Sequence, residues 1–101
     1  MDKIWVVVTC RTLDTKNEKF RDSRNVGWYN DLQEADKVLL NNYGDVYEDG
    51  YYPYAIIEQV PQGLYPICET ALFYRWDKDK KRYIQIEKPE ELKHIINYSI
   101  G

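Results

Sequence analysis

The chain is poor in the residues from which most catalytic and metal sites are built. Two of its 101 residues are cysteine and one is histidine. Cys10 and Cys68 lie far apart and in neither a C-x-x-C nor a Cys/His spacing, which excludes a disulfide framework and predicts free thiols in a reducing cytoplasm. Zinc takes three or four nitrogen or sulfur ligands, and Cys10, Cys68 and His94 are too scattered to supply them. The five glycines never cluster, so neither G-x-G-x-x-G nor the Walker pattern can be written, and the common nucleotide-cradling loops are excluded. The longest apolar run covers residues 4–8, whereas a membrane-spanning helix needs about 20 residues and a signal-peptide core about 7–15. The expectation is a cytoplasmic protein, neither spanning a membrane nor exported.

What is present is aromatic. Ten Tyr, three Trp and two Phe make 15% of a chain whose net charge is only -3, and 44% of it is apolar. Bulky apolar residues run along the whole length, which argues against disorder. At this size one core is all that burial sustains, so residues 1–101 are read as a single domain.

Periodicity divides the chain into elements. Residues 3–10 alternate strictly, Ile4, Val6, Val8 and Cys10 against Trp5, Val7 and Thr9; with both faces apolar, this is a central strand. Residues 11–24 are polar, mixed in charge and without an apolar period, a long loop or an extended hairpin tip. A short strand at 25–29 contains Gly27, a mark of a bulge or of close contact. The period then changes: Leu32, Ala35, Val38 and Leu39 form a helical stripe within 30–42, with Asn30 as the expected N-cap and Gly44 as the left-handed stop. Residues 44–54 carry the breakers Gly50 and Pro53 and read as a loop with at most a short edge strand. Strands follow at 55–60, 71–76 and 82–87, the last two flanking a solvated turn at 77–81. Pro89 opens a second helix whose stripe is Leu92, Ile95, Ile96 and Ile100. Short connections favour antiparallel neighbours. The fold class expected is α+β: two layers, a mostly antiparallel sheet of about five strands, and two helices packed on one face. Strand order and oligomeric state are left open.

No catalytic group stands out. His94 flanks the last helix near its C-terminal end, where its charge is favourable, and no Ser or Cys is spaced to use it as a base. Asp45, Glu48 and Asp49 offer oxygens for a hard cation but lack the EF-hand pattern, so no metal or cofactor is expected.

The informative feature is where the charges fall. Residues 38–74, a stretch of 37, contain no Lys or Arg, yet hold five acidic residues and seven of the ten tyrosines. Basic side chains gather on either side: Arg11, Lys16, Lys19, Arg21 and Arg24 in the first loop, and Arg75, Lys78, Lys80, Lys81 and Arg82 around the late hairpin. Two readings compete for the acidic, tyrosine-rich loop at 45–54. As an interface, Asp45, Tyr47, Glu48, Asp49, Tyr51 and Tyr52 would meet a protein partner with a basic surface, tyrosine supplying rigid contact area and the acids steering it. As cover, the tyrosines would pack over a sheet edge with their hydroxyls in water. The basic hairpin, Arg75, Lys78, Lys80, Lys81 and Arg82, with exposed aromatics, is the alternative site, for nucleic acid or a nucleotide ligand; an overall pI near 5.1 and the lack of an RNA-recognition signature weigh against nucleic acid.

The runs NVGWY (25–29), the helix at 32–42 and GDVYEDGYYPYAIIE (44–58), continuing to GLYP (63–66), resemble a group of short uncharacterised proteins of bacteriophages and mobile elements. The resemblance covers residues 3–76. It implies a small phage protein that acts by binding, such proteins including inhibitors of host defence systems such as CRISPR nucleases, and it assigns no site residues. Sequence reasoning thus arrives at a non-enzymatic binding protein.

Overall fold

The computed structural model describes residues 3–11, 24–61 and 70–87. Five strands form one antiparallel sheet: β1 (Lys3–Cys10), β2 (Arg24–Tyr29), β3 (Tyr54–Pro61), β4 (Thr70–Asp77) and β5 (Arg82–Ile86), in the order β2-β1-β3-β4-β5. β1 is interior, as its doubly apolar alternation predicts, and pairs with β3 from Lys3 opposite Pro61 to Cys10 opposite Tyr54. Pro61 lacks an N–H and stands at the last rung, where its loss costs the ladder least. Across β1 from there, β2 pairs with a bulge: Gly27 sits opposite Val7 and Asn25 opposite Val8, leaving Val26 as the extra residue. Gly27 thus marks a bulge, one of the two roles expected of it.

Asp77 shapes the β4–β5 turn. Its Oδ1 accepts from the backbone N–H groups of Asp79 (2.8 Å) and Lys80 (3.0 Å), and its carbonyl accepts from Lys81 N–H (2.8 Å). Those donors, Lys80 N–H foremost, hold the Asp77 carboxyl below its usual range.

The helix, α1 (Leu32–Leu40), is shorter than the 30–42 pattern, and its caps fall elsewhere. Asp31, not Asn30, is the N-cap: its backbone is extended and its Oδ1 accepts from Gln33 N–H at 3.0 Å. A carboxylate at the positive helix end gains from the dipole as well, which an Asn amide does less well. Gly44 does not end α1; Asn41 caps it and Asn42 already turns left-handed at φ 48°. Asn tolerates that region nearly as readily as Gly because its amide bonds to nearby backbone.

Ala35, Val38 and Leu39 are buried, packing α1 on the face that carries Val7, Ala55, Ile57, Tyr74 and Tyr83. Burying a leucine of this kind contributes about 2–3 kcal/mol. The Tyr74 hydroxyl donates to Asp36 Oδ1 at 2.7 Å, tying β4 to the helix flank. The opposite face holds a second buried cluster, Val6, Val8, Ile56, Val60 and Phe73, with Glu58 fully buried on the same face. The α+β class and the antiparallel sheet agree with expectation. One helix is found among the described residues where two are predicted, and the segment from Pro89 onward, with His94, lies outside them, as does Cys68. None of the described helices is long and apolar enough to cross a membrane.

Candidate functional site

The acidic tyrosine loop is a pair of 3₁₀ turns, Tyr43–Asp45 and Glu48–Gly50, rather than an open loop or an edge strand. Glycine and non-glycine residues alike are left-handed here: Asn42, Gly44, Asp45, Glu48, Asp49 and Gly50 all have positive φ. Such a backbone costs a non-glycine residue about 1 kcal/mol or more unless local bonds hold it. They do. Asn42 accepts the Tyr47 N–H on Oδ1 (3.0 Å) and donates through Nδ2 to Asp45 Oδ1 (3.1 Å), which also accepts from Asp49 N–H (3.5 Å). The Tyr52 N–H donates to the Tyr47 carbonyl at 3.0 Å and Tyr51 N–H to that of Glu48 at 3.2 Å, closing the second turn.

Aromatic packing pins this backbone to the sheet. Tyr47 stacks on Trp76 with centroids 3.8 Å apart, and Tyr83 meets both rings edge-on. Tyr52 is buried, its carbonyl accepting the Tyr83 hydroxyl, while Trp76 N–H donates to the Pro53 carbonyl at 2.9 Å. The two readings of the loop therefore divide residue by residue. Tyr47 and Tyr52 are cover; Tyr51, 41% exposed, and the exposed Asp45, Glu48 and Asp49 face outward. Tyr43, in the first turn, is also exposed, at 52%. Sequence reasoning left Tyr43 out because it falls between the helical pattern at 30–42 and the loop read as 45–54.

The charge separation read along the chain is partly closed in space. Arg24, at the end of the basic segment, pairs with Glu48 (2.9 Å), lies 4.5 Å above the Tyr52 ring and donates from Nε to the buried Thr9 hydroxyl (3.5 Å). Arg11 stands 5.0 Å over the Tyr51 ring. Glu48 thus has a cation of its own chain, and Asp45 braces the turn.

The other predicted site residues, Arg75, Lys78, Lys80, Lys81 and Arg82, are all exposed on the β4–β5 hairpin, where Lys81 takes a left-handed φ of 55°. Trp76, between them in sequence, stacks under Tyr47, so the basic tip and the acidic turns extend from the same end of the sheet.

Burial pushes the Cys10 thiol up to about 12 and keeps it protonated, and burial likewise raises the hydroxyls of Tyr74 and Tyr83. Among the described residues no group of three or more His, Cys, Asp or Glu is placed to hold a metal ion, so Asp45, Glu48 and Asp49 do not converge as a cation site. A groove of about 380 Å³ runs between β2, α1 and the first turn, lined by Arg24, Val26, Tyr29, Val38, Tyr43 and Val46 among others. Nothing local in the sequence signals it, because its walls come from three separate segments. No family model, curated protein or solved structure matches this chain.

Proposed function

We propose that the chain is a non-enzymatic binding protein that engages a basic protein surface through Tyr43, Asp45, Glu48, Asp49 and Tyr51. One observation supports this above the others: Asp45, Glu48 and Asp49 are held outward on a left-handed backbone, with exposed Tyr51 next in the chain, that buried Tyr52 and stacked Tyr47 anchor from below. Backbone in sparsely populated regions persists where surrounding contacts over-determine it, and it gathers at sites that present side chains in a set geometry. The resemblance to phage and mobile-element proteins makes a host nucleic-acid-handling protein, whose basic surface ordinarily meets phosphate, the partner of choice. In that role the chain blocks such a surface as an inhibitor.

The test is retention of a partner from host lysate on the immobilised protein, compared with the triple variant Asp45→Asn, Glu48→Gln, Asp49→Asn. Retention that weakens with salt and disappears in the triple variant is expected. If the variant retains the same partner with the same salt dependence, the acidic surface is not the site.

A second reading rests on the exposure of Arg75, Lys78, Lys80, Lys81 and Arg82 on one braced hairpin: binding of nucleic acid through phosphate contacts. Failure to retard single- or double-stranded probes at low salt would dispose of it.

A further inference from the structure

The groove between β2, α1 and the first turn is continuous with the acidic surface. Gly44 and Val46 both line it, and Asp45, whose carboxylate accepts from Asn42 and Asp49, stands between them in the chain. Arg24 lines it too and reaches Glu48 at 2.9 Å, so carboxylates border the groove at two places. Its walls are otherwise apolar. Val38 is buried, Val26, Tyr29 and Val46 are half-buried, and Tyr43 is exposed. A Cβ added at Gly44 would meet nothing within 4 Å, which leaves open space beside the turn.

Size and charge narrow what fills it. At about 380 Å³ the groove lies at the small end of the range in which whole ligands are enclosed, and such ligands are fixed by a few convergent polar groups. Here the polar groups are engaged already: Arg24 is held by Glu48, Thr9 and the Tyr52 ring, and Asn25 has a partner of its own. What the groove offers is mostly ring and methyl surface beside carboxylates. Resting on the reading that the acidic turns take a basic protein surface, we infer that this groove seats an apolar side chain of the same partner, leucine or one of its size, set among basic residues.

The two parts of the surface then do different work. Charges at the rim of an interface set the rate of encounter and its salt dependence, whereas side chains desolvated in a pocket hold most of the affinity. Asp45, Glu48 and Asp49 steer the partner in, and the groove keeps it. Tyr43 belongs to both, since it lines the groove and stands in the same turn as Asp45. Its exposed ring is the wall that closes over the incoming side chain, and burial of that ring on binding adds to the apolar area removed from water.

Two synthetic peptides test it, acetyl-Arg-Arg-Leu-Arg-Arg-amide and the same peptide with serine in place of leucine, each titrated into the full chain with labelled valine methyls and followed by NMR. The leucine peptide should shift the methyl resonances of Val26, Val38 and Val46 and bind about tenfold tighter than the serine peptide. Tyr43→Ser, at an exposed position where folding is not at stake, should bring the two affinities to within about threefold of each other. The triple variant Asp45→Asn, Glu48→Gln, Asp49→Asn should weaken both peptides alike and leave their ratio in place. The two ideas therefore fail separately. Weakening in the triple variant with equal affinity for the two peptides overturns the groove and spares the acidic surface; a preserved leucine preference with no weakening in the triple variant does the reverse. A leucine peptide that moves none of the three methyls, or a Tyr43→Ser chain that keeps the full preference, also overturns the inference.

Discussion

The ring of Tyr47 lies flat on that of Trp76, 3.8 Å between centroids and 8° from parallel, and so joins the second 3₁₀ turn to the last hairpin. Removing the ring leaves the Trp76 face without its partner. Tyr47→Ala should cost about 2–3 kcal/mol, less than the loss for a fully buried aromatic because Tyr47 is half-buried. Tyr47→Phe, which keeps the stack, should stay near wild type. Urea unfolding midpoints of the two variants give the comparison; an alanine cost as small as that of phenylalanine would show that the turn stands without the stack.

Stability should fall on the alkaline side. Tyr74 and Tyr83 have hydroxyls raised above the ordinary range by burial, with the Asp36 carboxylate adding at Tyr74, and Cys10 is pushed up to about 12. Each keeps its proton when folded at a pH where the unfolded chain has begun to release it, from about 8.5 for the thiol and about 10 for tyrosine. The unfolded state then binds fewer protons, so the stabilisation is complete below those values and is lost as pH rises through them, by about 1.4 kcal/mol per pH unit for each such group. Urea midpoints between about pH 8 and about pH 11 read the slope, and Tyr83→Phe should make it shallower. A midpoint constant across that window would contradict the burial argument.

Arg24 touches three partners of unequal worth. Its ion pair with Glu48 is open to water on both sides, so Glu48→Gln should change stability by less than about 0.5 kcal/mol. Arg24→Ala also loses the Tyr52 ring face and the bond to buried Thr9, and should cost about 1–2 kcal/mol. Thermal or urea denaturation of both variants decides it: equal costs would mean that the ion pair, not the stacking, is what Arg24 contributes.

The strands were legible because their signal is local. Alternation in Ile4, Val6 and Val8 against Trp5 and Val7 declares a strand buried on both faces, and Asp77 with Lys78 to Lys81 declares a turn. The helix was legible along its stripe and less so at its ends, where Asn30 and Asp31 are equally good caps on paper and Asn42 takes the left-handed role assigned to Gly44. Strand order was not legible, since nothing in β2 says which neighbour it will take. Nor was the division among the tyrosines. Tyr47, Tyr51 and Tyr52 sit in one short acidic run, and only Trp76 and Tyr83, far along the chain, determine which of them turn inward.

The order β2-β1-β3-β4-β5 also sets a sequence of assembly. The β4–β5 hairpin closes across one short turn, whereas β1 must find β3 across half the chain, matching Lys3 with Pro61 and Cys10 with Tyr54. Loop-closure entropy and the slow pairing of distant strands make that docking the late step. β1 leaves the ribosome well before β3, so the edge it offers to β3 waits for cover after β2 has become available to its other edge.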